Sequence, residues 1–173
     1  MENHTIRKAV TSDAKFISLL AKINFSEAYG NLFRSKKNLR AYINKNFSIE
    51  KIETSLQKEE NVFWIAFIDV LPIGYAKLKK QSPVPNTNFN NAAELQKIYV
   101  LKEYAIKSNG GLLKAEFFKE IQELNIDRVW LKELHTGEKT LNFYREHDFH
   151  KYDSHSFSIG REDFVFNIMM KTF

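Results

Sequence analysis

The 173-residue chain contains no cysteine, which excludes a disulfide framework and thiolate metal ligation. Its five histidines, His4, His135, His147, His150 and His155, follow no ligand-spacing motif, so no metal site is expected. No apolar run approaches the ~18 residues of a membrane-spanning helix, and the opening MENHTIRKAV lacks the apolar centre of a signal peptide. The expectation is a cytoplasmic protein with no membrane partner. There are no internal repeats and no arm in which Lys and Arg collect. The formal net charge of +5 and pI of about 9.2 arise from basic residues interleaved with acidic ones. That pattern argues against a nucleic-acid partner and leaves solubility or attraction of an anionic cofactor as its purpose.

What is present fits a single globular domain over residues 1–173, with 43% hydrophobic and 27% charged residues. The 15 Phe and 7 Tyr predict an aromatic-rich core. Residues 4–10 alternate polar and apolar as a first strand does. Thr11-Ser12-Asp13 offers a cap for a helix whose apolar positions Phe16, Leu19, Leu20 and Ile23 repeat at helical spacing. Two more helices are expected, one over 35–47 with Leu39, Tyr42, Ile43 and Phe47 on one face, the other opening at Ser48.

Val62 to Ile68 is nearly continuous apolar sequence, the mark of a strand covered on both faces. Residues 69–74, with Pro72 and Gly74, read as a turn, and Tyr75 to Lys79 as the antiparallel return. Residues 81–91 read as a loop. Strands are expected again at 128–134, 149–157 and 164–171, with a short helix from Glu138 to about His147 and a hairpin loop at 158–163.

The organising stretch is Glu94 to Leu124: a strand, a glycine-bearing loop, then a helix with Leu113, Phe117, Ile121 and Leu124 on one face. Gly110 and Gly111 let backbone N–H groups approach a ligand, and the positive end of the helix favours phosphate there. Tight packing is the alternative reason for the same glycines.

Strand, glycine loop, helix, strand, then a helix ending in Phe143-Tyr144, together resemble the GNAT superfamily of N-acetyltransferases over nearly the whole chain. The resemblance implies an α/β (α+β) GNAT fold, a mixed, mostly antiparallel twisted sheet of about seven strands flanked by helices. Its central parallel strands splay to admit acetyl-CoA. The family's Arg/Gln-x-x-Gly-x-Gly/Ala loop aligns with residues 105–110, where Ala105 and Ser108 depart from the pattern and Lys107 offers a charge. Cofactor contacts are expected from Ile98, Tyr99, Val100, Lys107, Ser108, Asn109, Gly110, Gly111, Gly137 and Lys139. Gly137 stands where the family has an asparagine, and Asp148 replaces its usual glycine.

By the same resemblance Tyr144 protonates the departing coenzyme A sulfur, and Glu94 takes the proton of the attacking amine, with Glu133 and Glu27 as weaker candidates. Glu94 as a strand-end charge and Tyr144 as a core residue are the alternatives. Glu27, Tyr29, Phe33 and His135 are the acceptor-site candidates, with packing or solvent exposure as the alternative for each. Glu27 to Gly30 and His155 to Gly160 look similar to bacterial polyamine acetyltransferases, which implies a small-molecule amine, a polyamine first, attacking directly in a ternary complex. A homodimer is expected by resemblance alone. A GNAT-fold ligand-binding or regulatory protein is the rival, motivated by Ala105, Ser108 and Gly137.

Overall fold

The computed structural model describes residues 3–105 and 109–173. Lys107 and Ser108, expected on the cofactor, lie outside the described residues. The strands are β1 (His4–Lys8), β2 (Asn61–Ile68), β3 (Leu71–Lys79), β4 (Ala92–Val100), β5 (Arg128–Leu134), β6 (His150–Ile159) and β7 (Glu162–Thr172). They form one seven-stranded sheet in the order β1-β2-β3-β4-β5-β7-β6. Neighbours run antiparallel except β4 and β5, which are parallel.

The helices are α1 (Ala14–Tyr29), α2 (Lys36–Asn46), α3 (Ile49–Leu56), α4 (Lys102–Ala105), α5 (Asn109–Glu123) and α6 (Glu138–Arg145). Ser35 and Ser48 cap α2 and α3, each hydroxyl oxygen accepting from a backbone N–H three residues on, at 3.3 Å. The short α4 between β4 and α5 was not expected from the sequence.

The two faces of the sheet carry separate apolar cores. Val62, Trp64, Ala66 and Ile68 of β2 meet Leu113, Phe117 and Ile121 of α5, with Leu131, Leu141 and Phe149. Phe63 and Ile65 turn the other way, onto Ile17, Leu20 and Ala21 of α1 and Ile52 of α3. A strand buried on both sides has no polar face, which accounts for the unbroken apolar run. Each fully buried large side chain stabilises by roughly 1.5–3 kcal/mol.

Three boundaries differ from expectation. Helix α1 buries Ala14, Ile17, Ser18, Ala21, Phe25 and Tyr29 along with Leu20, while Leu19 is 55% exposed. The buried stripe combines the small residues Ala14, Ser18 and Ala21 with Ile17, Leu20, Phe25 and Tyr29. Just before α1, buried Asp13 accepts from Arg7 Nη1 and Nη2 at 2.6 and 2.9 Å and from the Val10 N–H at 2.8 Å.

The turn after β2 is only Asp69-Val70, so Pro72 and Gly74 lie within β3. Pro72 sits opposite Phe67 at the β2–β3 bulge and before the β4 ladder begins at Gly74↔Val100, a place that tolerates a residue with no N–H. The last hairpin is likewise tight. β6 and β7 pair out to Ile159↔Glu162, and Gly160 takes the left-handed φ of 65° that such a turn requires.

Two features of β4 frame the site. Lys77 pairs with Lys97 and Leu78 with Leu95, leaving Gln96 as an extra, bulged residue. The parallel ladder with β5 runs Ala92↔Arg128, Ala93↔Val129 and Glu94↔Trp130, and ends there. Beyond that point β4 stays paired to β3 and β5 to β7, so the two central strands part between them.

Candidate functional site

Lys97 and Glu133 each stand three residues beyond the last β4–β5 pair, where the strands part. Burial pushes the Glu133 carboxyl up to about 7, restrained by the Lys97 charge and a hydrogen bond from the Leu134 backbone. The same burial pulls the Lys97 ammonium down from its usual range, against the opposing pull of Glu133. The result is a carboxyl group that gains and loses its proton near neutrality.

Tyr144, in the last turn of α6, is 7% exposed and packs against Phe143 and Phe149 with ring centroids at 5.4 and 5.6 Å. Burial first, and the Glu133 charge second, push its phenol well above the ordinary value, so it holds its proton. Beside it, His147 Nδ1 lies 2.6 Å from the Phe143 carbonyl and Nε2 2.6 Å from Lys114 Nζ. Donation from Nδ1 to the carbonyl leaves Nε2 to accept from the ammonium. The gap between Leu95, Ile98, Phe117 and Tyr144 on this side is only about 10 Å³.

A cavity of about 640 Å³ opens on the opposite face, between α1, α2 and α3, strands β3 to β5, and the β6–β7 hairpin. Phe25, Tyr29, Tyr42, Phe47, Phe63 and Phe166 supply an aromatic wall. Phe25 stacks on Tyr29 at 4.5 Å and on Tyr42 at 5.1 Å. Lys51, Lys58, Lys77, Lys97 and Lys132 also line it, with Glu94 as the carboxylate among its described lining residues. This volume is in the range of sites that take small molecules.

The expected site residues divide. Glu94 is buried on the cavity wall, with Lys132 Nζ 3.1 Å from one oxygen and Gln96 Nε2 donating to the other at 2.8 Å. Tyr29 lines the cavity. Phe33 is instead buried among Phe25, Tyr42 and Phe164. His135 is exposed, its Nδ1 3.1 Å from the Val165 carbonyl. Glu27 accepts from the Tyr99 hydroxyl at 3.1 Å and pairs with Lys102 at 3.3 Å, outside the cavity lining.

Ile98 and Val100 face α5, whereas the Tyr99 ring packs on Tyr75 across the other face. Asn109, Gly110 and Gly111 open α5, and a Cβ at Gly111 would meet nothing within 4 Å. Lys139 is exposed in the first turn of α6. Gly137 precedes α6, where a Cβ would come within 2.7 Å of Glu133 Oε1 and 3.2 Å of the Leu134 carbonyl. A side chain here, such as the asparagine usual in the resemblance, would therefore shift the Glu133 carboxylate.

The profile of the acetyltransferase (GNAT) family matches residues 27–149, from the end of α1 to the residue before β6. The chain belongs to that family. Among solved structures it is similar to PaiA N-acetyltransferase from Thermoplasma acidophilum in complex with coenzyme A, at 24% identity and TM-score 0.79, covering 99% of each chain. It is also similar to a probable acetyltransferase from Staphylococcus epidermidis, at 18% identity and TM-score 0.73 over 98% of this chain and 99% of that one. An N-acetyltransferase from Staphylococcus aureus is 16% identical with TM-score 0.70 over 98% of each. At these identities the likeness shows the fold. Among the described residues no helix is long and apolar enough to cross a membrane.

Sequence reasoning missed Lys77 and Lys97 and ranked Glu133 below Glu94. The available signal was position: each lysine interrupts an apolar stretch in a strand that the fold covers on both faces. For Glu133 it was the register of the parallel pair, which places Glu133 level with the bulged part of β4.

Proposed function

We propose that this GNAT acetyltransferase transfers the acetyl group of acetyl-CoA to the primary amine of a small molecule, by direct attack within a ternary complex. The observation that carries the reading is the parting of β4 and β5 with a proton-holding phenol on one side and the 640 Å³ cavity on the other. The residues present fit acetyl-CoA. The β4 edge beyond Glu94 has no β5 partner among the described residues, and open space at Gly111 adjoins the helix N-terminus. Val100, the Asn109–Gly111 backbone and the Lys107 and Ser108 positions would hold the pantetheine and pyrophosphate. Acetyl-CoA supplies an acyl thioester open to attack by a neutral amine.

The protein's own groups meet the three needs of that reaction. Glu133, poised near neutrality, takes the ammonium proton of the acceptor. It is preferred to Glu94, whose oxygens are held by Lys132 and Gln96. Backbone N–H groups of β4 around the Gln96 bulge serve the carbonyl oxygen as it gains charge. Tyr144 Oη holds a proton for the leaving sulfur.

Calorimetry with acetyl-CoA, then thiol release with an amine panel and a Tyr144→Phe control, tests the reading. Binding, with turnover that Tyr144→Phe lowers, supports it. The small gap beside Tyr144, about 10 Å³, favours the second reading of a ligand-binding or regulatory GNAT protein, which absent acetyl-CoA binding would establish. A polyamine acceptor, the expectation from the sequence, requires carboxylates that the cavity supplies only at Glu94 among its described lining residues. A homodimer rests on resemblance and is read by size-exclusion chromatography with light scattering.

A further inference from the structure

We propose that the acceptor is a primary amine that also carries an anionic group, a carboxylate or a phosphate, held among Lys51, Lys58 and Lys77 with its amine directed to the β4–β5 opening. This rests on the acetyl-transfer reading above and names the substrate class of the same cavity. Five lysines line it against the carboxylate of Glu94. That carboxylate is engaged by Lys132 at 3.1 Å, and Lys132 lies over the Trp130 and Phe157 rings at 5.5 and 5.1 Å. Lys51, Lys58 and Lys77 therefore leave a surplus of positive charge lining the volume, Lys97 being set against Glu133. A polycation entering it meets like charge in a partly desolvated space, where repulsion is several times stronger than in water.

The arrangement is ordered along the cavity. Lys51 lies on α3 and Lys58 just past its end, while Lys77 lies on β3 across from them with its Nζ 5.2 Å from the Phe63 ring centroid. Burial pulls Lys77 down to about 8, opposed first by Glu94 and more weakly by Glu60, and aided by the positive charges of Lys79 and Lys58. A bound anion favours the charged form of such a lysine, so binding and protonation reinforce each other. Glu133 is not itself among the described lining residues; it stands beside Lys97, which is, at the strand opening where an amine proton is to be removed. An acceptor with an anion at one end and an amine at the other spans these two places, and the aromatic wall between them suits an apolar or planar middle.

Matched pairs test this: phenylalanine against phenethylamine for the carboxylate, glucosamine 6-phosphate against glucosamine for the phosphate, with spermidine alongside. Thiol release gives kcat/KM for each, and calorimetry on the coenzyme A-loaded protein gives affinity for the same compounds where turnover is absent. The expected result is that the anionic member of one pair exceeds its neutral partner by about tenfold or more. The pair that responds tells carboxylate from phosphate. Lys77→Gln and, at an exposed position, Lys58→Gln should each narrow that ratio. A preference for spermidine or for the neutral partners in turnover or binding, or equal response of both members, overturns the anionic acceptor and leaves acetyl transfer standing. Failure of acetyl-CoA itself to bind overturns both.

Discussion

Glu133→Gln separates the cost of the site from its use. Burial holds the folded-state carboxyl at about 7, against an ordinary value of 4.5. At 1.36 kcal/mol per pH unit, ionising it in the folded protein costs about 3 kcal/mol more than in the unfolded chain. Between pH 4.5 and 7 the folded state keeps a proton that the unfolded state has lost, so the wild type loses stability as pH rises through that window. Above it the loss is complete. Glutamine keeps the shape and carries no charge, so the variant escapes the loss. Lys97 forfeits a favourable neighbour in the variant, but burial already shifts its ammonium towards the neutral amine, which limits that effect.

The variant should match the wild type near pH 4.5 and exceed it by up to about 3 kcal/mol at pH 8, equivalent to roughly 6–12 °C in Tm for a chain of this size. Thermal melts at several pH values read this directly. Activity should move the other way. In the wild type kcat/KM falls about fivefold from pH 7 to pH 6, as the ionised fraction drops from about a half to about a tenth. In Glu133→Gln that acid limb disappears and the rate falls by about 10²-fold or more. A variant no more stable than the wild type at pH 8 would refute the reasoning, because it would mean that Lys97 and the Leu134 amide fully compensate the buried charge.

Three other substitutions probe separate parts of the structure. Tyr144→Phe should lower kcat about 10²-fold while acetyl-CoA affinity by calorimetry is unchanged; an unaltered kcat removes the phenol from the chemistry. Gly137→Ala places a Cβ 2.7 Å from Glu133 Oε1, so the carboxylate must move and the acid limb of the pH–rate profile should shift, with kcat/KM reduced. An unmoved limb would show that Gly137 does not position Glu133. Asp13→Ala removes three hydrogen bonds from a buried carboxylate whose pKa is held below 3.8 chiefly by Arg7. The loss should be about 1–2 kcal/mol at pH 7 by denaturant unfolding, kept modest because the Arg7 side chain is 43% exposed. That loss should be present above pH 3.8 and fade as acid protonates Asp13 in the wild type.

The sequence carries the strands and helices wherever large apolar residues alone decide burial. Val62 to Ile68 and the Leu113, Phe117, Ile121 stripe are such cases, and the seven-stranded sheet follows from them. It misleads where a small or exceptional residue does the work. Ala14, Ser18 and Ala21 belong to the buried face of α1, and counting only large side chains misplaces that face. Gly74 reads as a turn breaker, yet it lies mid-strand because a Cβ there would come 2.5 Å from the Tyr99 carbonyl.

The site follows the same division. Tyr144 is singled out by the resemblance through the Phe143-Tyr144 pair, and in the fold it packs on Phe143 and Phe149. Lys77 is not singled out, because a lysine in a strand ordinarily faces water. Its place is decided by Phe63 across the ladder, by Glu94, and by the α3 lysines, residues up to tens of positions away. The charge lining the cavity is therefore a property of how α3 folds back against the sheet rather than of local sequence. A net charge spread evenly along the chain conceals a cavity whose lysines face one another.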